Sequence, residues 1–228
     1  ADGVFPTASG RAQFHDAPYR PVAEPIDARY PLHLNTGRLR DQWHGMSRTG
    51  LVPRLYAHVE EPLLSMNRLD MERRQLQDGD LVRVKSRRGS LVIKVQASDE
   101  LRGSQTFIPM HWGGRFMAGQ GVNTLTQRSV DPVSKQPELK HCAVQVEKAE
   151  LPYRRVIMRR GDGASLLRQA RPFMERFDFA TASLTGRNSS VLVFQAASSG
   201  PLPESLVQEM DRVFGLDDPL LIMNYQDA

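Results

Sequence analysis

The stretch DLVRVKSRRGSLVIKVQAS, residues 80–98, limits the fold more tightly than any other part of the chain. Apolar and polar residues alternate through 81–85 and again through 90–96, the two-residue period of strands with one buried face. Ser86-Arg87-Arg88-Gly89 between them is a hairpin turn. Two paired strands need further partners, and the flanking text supplies them. YPLHLNTG reads as a strand ending at Gly37. PLLSMNRLDMERRQL begins as a strand, becomes a short helix carrying Leu69, Arg73 and Leu76, and stops at Gln77-Asp78-Gly79-Asp80. GSQTFIPM and HCAVQVEKA complete the series. Short strands, one helix and many turns specify a mainly β barrel over residues 30–150.

Residues 1–29 differ from this region. Prolines at 18, 21 and 25 make an extended arm that lies on something else. A second change of texture comes at Leu151-Pro152. YRRVIMRR is a strand. GASLLRQARPFMERF is an amphipathic helix with Leu166, Leu167, Ala170, Phe173, Met174 and Phe177 on one side, and Pro172 is expected to kink or break it. DFATASLTG and SSVLVFQAA are strands, LPESLVQEMDRVFG is a helix closed by Gly215, and LLIMNY is a last strand. The order β-α-β-β-α-β is that of a small α+β, ferredoxin-like unit over residues 151–228.

Composition excludes several classes. No apolar run approaches the roughly 20 residues of a membrane-spanning helix, and no signal-peptide pattern is visible. A single cysteine, Cys142, rules out an internal disulfide and an iron–sulfur quartet and favours a cytoplasmic chain. The pI of about 9.5 raises a nucleic-acid-binding module as one alternative. The basic residues are dispersed, however, and aromatics make up only 7% of the chain, so no nucleic-acid partner is expected. The start at Ala1, without a methionine, fits a fragment of a longer protein.

The least ordinary segment is LNTGRLRDQWHGMSRTG, residues 34–50. A strand breaks at a glycine, and arginines, an aromatic, a histidine and hydroxyls then follow one another. Thr36-Gly37-Arg38 offers a hydroxyl, an approachable backbone and a cationic fork, which is suitable equipment for an anion. A bare Thr-Gly-Arg is more often a turn with a solvated arginine, and His44 alone is more often a packing histidine. HWGGRFMAGQG, after the strand GSQTFIPM, repeats the strand-then-glycine scheme.

TGRLRDQWHGMSRTG, LDMERRQLQDGDLVRVKSRRGSLVIKV, GSQTFIPMHWGG, VNTLT and DPVSKQPELKHCAV occur in that order and close together. Together they resemble the C-terminal cofactor-binding region of the molybdopterin oxidoreductases. RDQWHGMSRTG and FIPMHW are most similar to the catalytic subunits of bacterial assimilatory nitrate reductases. The resemblance implies a double-psi β-barrel that binds a bis-(molybdopterin guanine dinucleotide) molybdenum cofactor. The iron–sulfur cluster and the metal's own ligand would lie in parts of the enzyme absent here. The remaining domains of the same enzyme and an electron-donor protein or subunit would be its partners. A piece of this kind would not reduce nitrate alone. A formate dehydrogenase or a periplasmic nitrate reductase is the alternative within the superfamily.

Under that resemblance, Thr36, Gly37, Arg38, Gln42, Trp43, His44 and Ser47 would lie against the cofactor. His111 falls where relatives place a cofactor-facing residue, and Asn123 matches a pterin-binding amide that can both donate and accept. Either Lys140 or His141 would complete the set, with Lys140 favoured on charge. The Asp78-Gly79-Asp80 and Ser86-Arg87-Arg88-Gly89 segments read better as turns than as anion sites. Arg73-Arg74 reads as a solvated face, as does Arg159-Arg160, which with Arg154 and Arg155 could also dock an electron donor.

Overall fold

In the computed structural model, which describes residues 2–16, 18–187 and 189–216, residues 32–148 form six strands. They are β1 (Leu32–Gly37), β2 (Leu63–Met66), β3 (Leu81–Lys85), β4 (Ser90–Ala97), β5 (Gln105–Pro109) and β6 (Cys142–Lys148). They close into a barrel in the order β1-β5-β2-β4-β3-β6. Closure follows from the alternation. Leu34, Leu64, Val84, Ile93, Ile108 and Val144 all turn inward and are buried in one core, and a closed sheet leaves no unpaired edge.

Two of the six pairings are parallel, β1 with β5 and β2 with β4. The first decides where a site can form. Thr36 lies beside Ile108 and Gly37 beside Pro109, and the Met110 amide donates to the Gly37 carbonyl at 2.9 Å. Both strands therefore end at one rim, and the two glycine-bearing loops leave it side by side.

The helix α1 (Arg68–Glu72) is shorter than expected and faces differently. Asn67 caps it by accepting from the Leu69 amide, but Leu69 is exposed and the helix buries Asp70 and Met71. Arg73 and Leu76 lie beyond its end, and Leu76 still reaches the core. The Asp70 carboxylate accepts from the Ser104 amide at 2.6 Å, and Arg74 donates to the Asp70 carbonyl at 2.9 Å. Arg74 is thus not part of a solvated face, because its side chain is only 23% exposed against 73% for Arg73.

The arm lies on the barrel itself over residues 23–30. Arg88 grips Glu24 with two hydrogen bonds of 2.6 and 3.0 Å, Arg87 pairs with Asp27, and the Arg87 guanidinium stacks on Tyr30. The Ser86–Gly89 turn spends its charge on these contacts, in keeping with a turn rather than an anion site.

The second unit comprises β7 (Tyr153–Gly161), α2 (Gly163–Met174), β8 (Phe179–Thr185), β9 (Ser190–Ser198) and α3 (Glu204–Phe214). Asp162 caps α2 by accepting from the Ser165 amide, and Gly215 ends α3 in the left-handed conformation with φ of 61°. Pro172 sits in the last turn of α2, and the helix runs on to Met174 without a break. The sheet order is β7-β9-β8, with both helices packed on one face. It has three strands among the described residues, not the four expected; the anticipated strand at 220–225 lies outside them.

The two sheets are distinct but their cores are not. The other face of the small sheet packs Phe179 and Ala197 against Leu81, Val92 and Leu151. Beside them Lys94 donates to both Glu61 and Gln195, and Gln195 donates back to Glu61, in a closed three-residue link between barrel and sheet. Arg155 is likewise engaged, paired with Asp211, so it does not belong to a free basic surface.

Candidate functional site

At the rim where β1 and β5 end, the loops following them enclose a cavity of about 390 Å³. Its walls come from His44 and Gly45 of the first loop and from Met110 to Phe116, Gln120, Val122 and Asn123 of the second. Among the described residues no carboxylate lines it, and Arg115 is its one full positive charge. The cavity therefore favours an anionic or carbonyl-rich guest over a cation.

His111 joins the two loops. It is 1% exposed, and both ring nitrogens are engaged by main chain. Nε2 accepts from the Leu39 amide at 2.7 Å, which leaves Nδ1 to carry the proton and donate to the His44 carbonyl at 2.6 Å. That tautomer is neutral, and burial, with a smaller contribution from the nearby Arg38 charge, holds the imidazole below its usual pKa. His44, whose carbonyl accepts that bond, has φ of 25°, and Met46 follows at φ of 55°. His111 thus supplies a wall to the cavity and a brace to the loop, with no ring nitrogen left over.

Of the expected site residues, the fold brings His44, His111 and Asn123 together in the cavity. Asn123 stands in a short 3-10 turn, Gly121–Thr124, and is exposed there. Arg38, Trp43, Ser47 and Lys140 are exposed, and Trp43 meets His44 edge-to-face at 4.7 Å. Thr36 and Gln42 are turned to internal tasks. The Thr36 hydroxyl donates to the Leu139 carbonyl at 2.8 Å, tying β1 to the segment that presents Lys140, and the Gln42 amide donates to the Leu55 carbonyl at 3.0 Å. Gly37 is needed for packing, since a Cβ there would approach the Phe107 ring to 2.9 Å. Of residues 140 and 141, His141 is buried with Nε2 at 3.0 Å from the Glu24 carbonyl, whereas Lys140 is exposed.

Arg115 and Gln120 are cavity residues absent from the sequence expectations. The signal was present, because Gly114-Arg115 repeats the Gly37-Arg38 pair in the equivalent loop after a parallel strand.

A family model described as a molydopterin dinucleotide binding domain matches residues 32–143. Residues 32–143 belong to that family. Strands β1 to β5 and both cavity loops fall inside the match, which ends at the second residue of β6, and β7 to α3 fall outside it. A nitrate reductase of Klebsiella oxytoca is 46% identical over 127 residues, which is 56% of this chain. The chain spans 15% of that protein's length. The acetylene hydratase of Pelobacter acetylenicus, a solved structure, overlaps 61% of this chain and 21% of its own at 15% identity. Its TM-score of 0.43 is too low to add to the description of the fold.

The residues of the molydopterin-binding barrel fit a dinucleotide of this kind in two respects. Trp112, a cavity wall that is 2% exposed, buries its indole N–H with no acceptor among the described residues, a donor that a ligand oxygen would satisfy. Gly113 has nothing within 4 Å of where a Cβ would be, so its backbone stays open to close approach. Among the described residues no group of three His, Cys, Asp or Glu could hold a metal ion. No helix among them is long and apolar enough to cross a membrane.

Proposed function

We propose that this chain is the cofactor-binding portion of a nitrate reductase of the assimilatory kind. In this reading its barrel rim holds part of a bis-(molybdopterin guanine dinucleotide) cofactor. The identity of 46% to a nitrate reductase supports the substrate, and the carboxylate-free cavity with Arg115 and the unpartnered Trp112 N–H supports the ligand. When bound, the cofactor supplies the redox-active molybdenum at which nitrate is reduced to nitrite.

This chain's own residues bind and orient. Arg115 and the exposed Arg38 and Lys140 present cations to phosphate or pterin oxygens, and Trp112 donates from its indole. Asn123 can donate and accept at an amide-like pterin edge. His111 keeps the two loops at fixed separation. The metal's protein ligand, an iron–sulfur cluster and the docking site for an electron donor belong to other parts of the enzyme in this proposal. A cytoplasmic location goes with it.

The test is to purify the full-length protein and the isolated 228-residue chain in parallel. The full-length protein should contain molybdenum and guanine nucleotide and reduce nitrate with an artificial electron donor, while the isolated chain should not turn over. Formate oxidation without nitrate reduction would move the assignment to a formate dehydrogenase. A full-length protein without molybdenum or nucleotide would end the proposal.

A further inference from the structure

We infer that residues 153–216, which lie beyond the family match, act as a positioning element for the cofactor pocket by taking one wall of it into their own sheet. The inference rests on the cofactor reading above. The wall in question is the second loop. Gly113, Gly114, Arg115 and Phe116 line the cavity, and the chain turns sharply there, with the Phe116 and Met117 amides both donating to the Gly113 carbonyl.

Immediately after the turn, the loop forms an antiparallel β-bridge to the other unit. The Ala118 amide donates to the Ala180 carbonyl at 2.9 Å, the Ala182 amide donates to the Phe116 carbonyl at 2.8 Å, and Met117 stands opposite Thr181. Residues 116–118 thus extend the sheet at the β8 edge in antiparallel fashion.

Side chains fix the same place. Phe116 and Met117 are 1% and 3% exposed, in one cluster with Ala180, Ala182, Phe194 and Phe214. From the first loop, Met46 and Tyr56 enter that cluster, and the Tyr56 hydroxyl donates to the Gly50 carbonyl at 3.0 Å. Gly50 leaves no slack, since a Cβ on it would come within 2.4 Å of the Phe116 ring. Both cavity loops are therefore seated on the small sheet. The second loop carries glycines at 113, 114, 119 and 121, and such a segment loses much conformational freedom on ordering. The barrel holds the two ends of the loop, through His111, the Met110 amide on Gly37 and Val122 in the barrel core, and the sheet edge holds its middle.

Ala118 does not line the cavity, so its amide can be removed without touching a ligand contact. In the full-length enzyme, Ala118→Pro deletes the donor to Ala180, while Ala118→Ser keeps the donor and nearly the same size. Purified variants are diluted into chelator, and release of molybdenum and guanine nucleotide is followed over time. Hydrogen exchange is read at the Ala182 amide and across β1–β6. Losing one net hydrogen bond predicts release about twofold to tenfold faster for Ala118→Pro. Wild-type release is expected for Ala118→Ser, with β1–β6 protection retained in both. Release at the wild-type rate from Ala118→Pro, with the Ala182 amide newly exchanging, overturns the inference. Should Ala118→Pro fail to accumulate, Met117→Ala loosens the same seat and is read the same way, faster release supporting the inference and unchanged release overturning it. A wild-type protein that holds no cofactor would instead defeat the functional reading on which this rests.

Discussion

Replacing His111 separates its two hydrogen bonds, because asparagine and glutamine each imitate one ring nitrogen. Asparagine can place its amide N–H near the Nδ1 position and keep the bond to the His44 carbonyl, but it offers nothing to the Leu39 amide. Glutamine can place its carbonyl near Nε2 and keep the Leu39 bond while losing the His44 one. Both native bonds are short, 2.7 and 2.6 Å, and both are at least partly buried. Leaving one such group without a partner costs about 1–3 kcal/mol. In His111→Asn the Leu39 amide should then exchange with solvent roughly fivefold to a hundredfold faster, while amides of β3 and β4 keep their protection. In His111→Gln the Leu39 amide should stay closer to wild type. Acid should mimic the asparagine variant, since a protonated Nε2 is a donor facing a donor. The folded imidazole titrates below the usual value of 6.5, so the open loop takes up its proton first. The closed loop therefore holds its full stability above about pH 6.5 and loses it progressively as pH falls below that. Native-state hydrogen exchange across pH 5–8 (a range chosen to bracket roughly the unperturbed histidine pKa) measures both effects. If Leu39 protection is the same in wild type and His111→Asn, the imidazole does not brace the loop and its role has been misassigned here.

Arg38→Ala in the full-length enzyme should release cofactor about tenfold to a hundredfold more readily, as expected for a lost charge-assisted hydrogen bond, and lysine should rescue only in part; molybdenum and nucleotide content per chain decides it. Arg73→Ala should leave stability unchanged, whereas Arg74→Ala should cost about 1–2 kcal/mol in urea denaturation because it strips a donor from Asp70, which is buried. Glu24→Gln should loosen the clasped part of the arm, making residues 23–29 more readily cleaved by protease than in wild type. The Arg88 hydrogen bond holds the Glu24 carboxyl below its usual 4.5, so the wild-type clasp should persist at neutral pH and be lost as pH falls below about that value. Cys142 is fully buried and its thiol is pushed up to about 12 by burial, so native protein should resist alkylation and react only on unfolding.

The barrel was legible because its strands alternate cleanly and its turns carry Gly and Asp at the bends. Periodicity assigned β3 and β4 nearly to the residue. The helix after β2 was misjudged for a physical reason. Leu69 is exposed instead, and Asp70 is buried because its carboxylate accepts from the Ser104 amide, 34 residues away, with Arg74 on its carbonyl. Arg74 was misread with it, as a charge in a charge-rich run whose partner was hidden. At the rim, motif order pointed to the right loops but could not divide their residues between ligand and scaffold. Thr36, Gln42 and His111 have the chemistry of binding groups, and the fold spends their donors on Leu139, Leu55 and His44. The shared core was beyond reach, since nothing local in HWGGRFMAGQG says that Phe116 and Met117 will pair with a strand more than sixty residues on.

That pairing also bears on how the second unit behaves when it is made alone. In the intact chain residues 116–118 cover the outer edge of β8. Cut away from the barrel, residues 153–216 would carry the Ala180 carbonyl and the Ala182 N–H bare along an apolar strand, next to the vacated seats of Phe116 and Met117. An uncovered, uncharged edge of that sort is a template for another copy of itself. The isolated unit is therefore a candidate for self-association and inclusion bodies, and the barrel loop that it steadies is, in turn, its guard against aggregation.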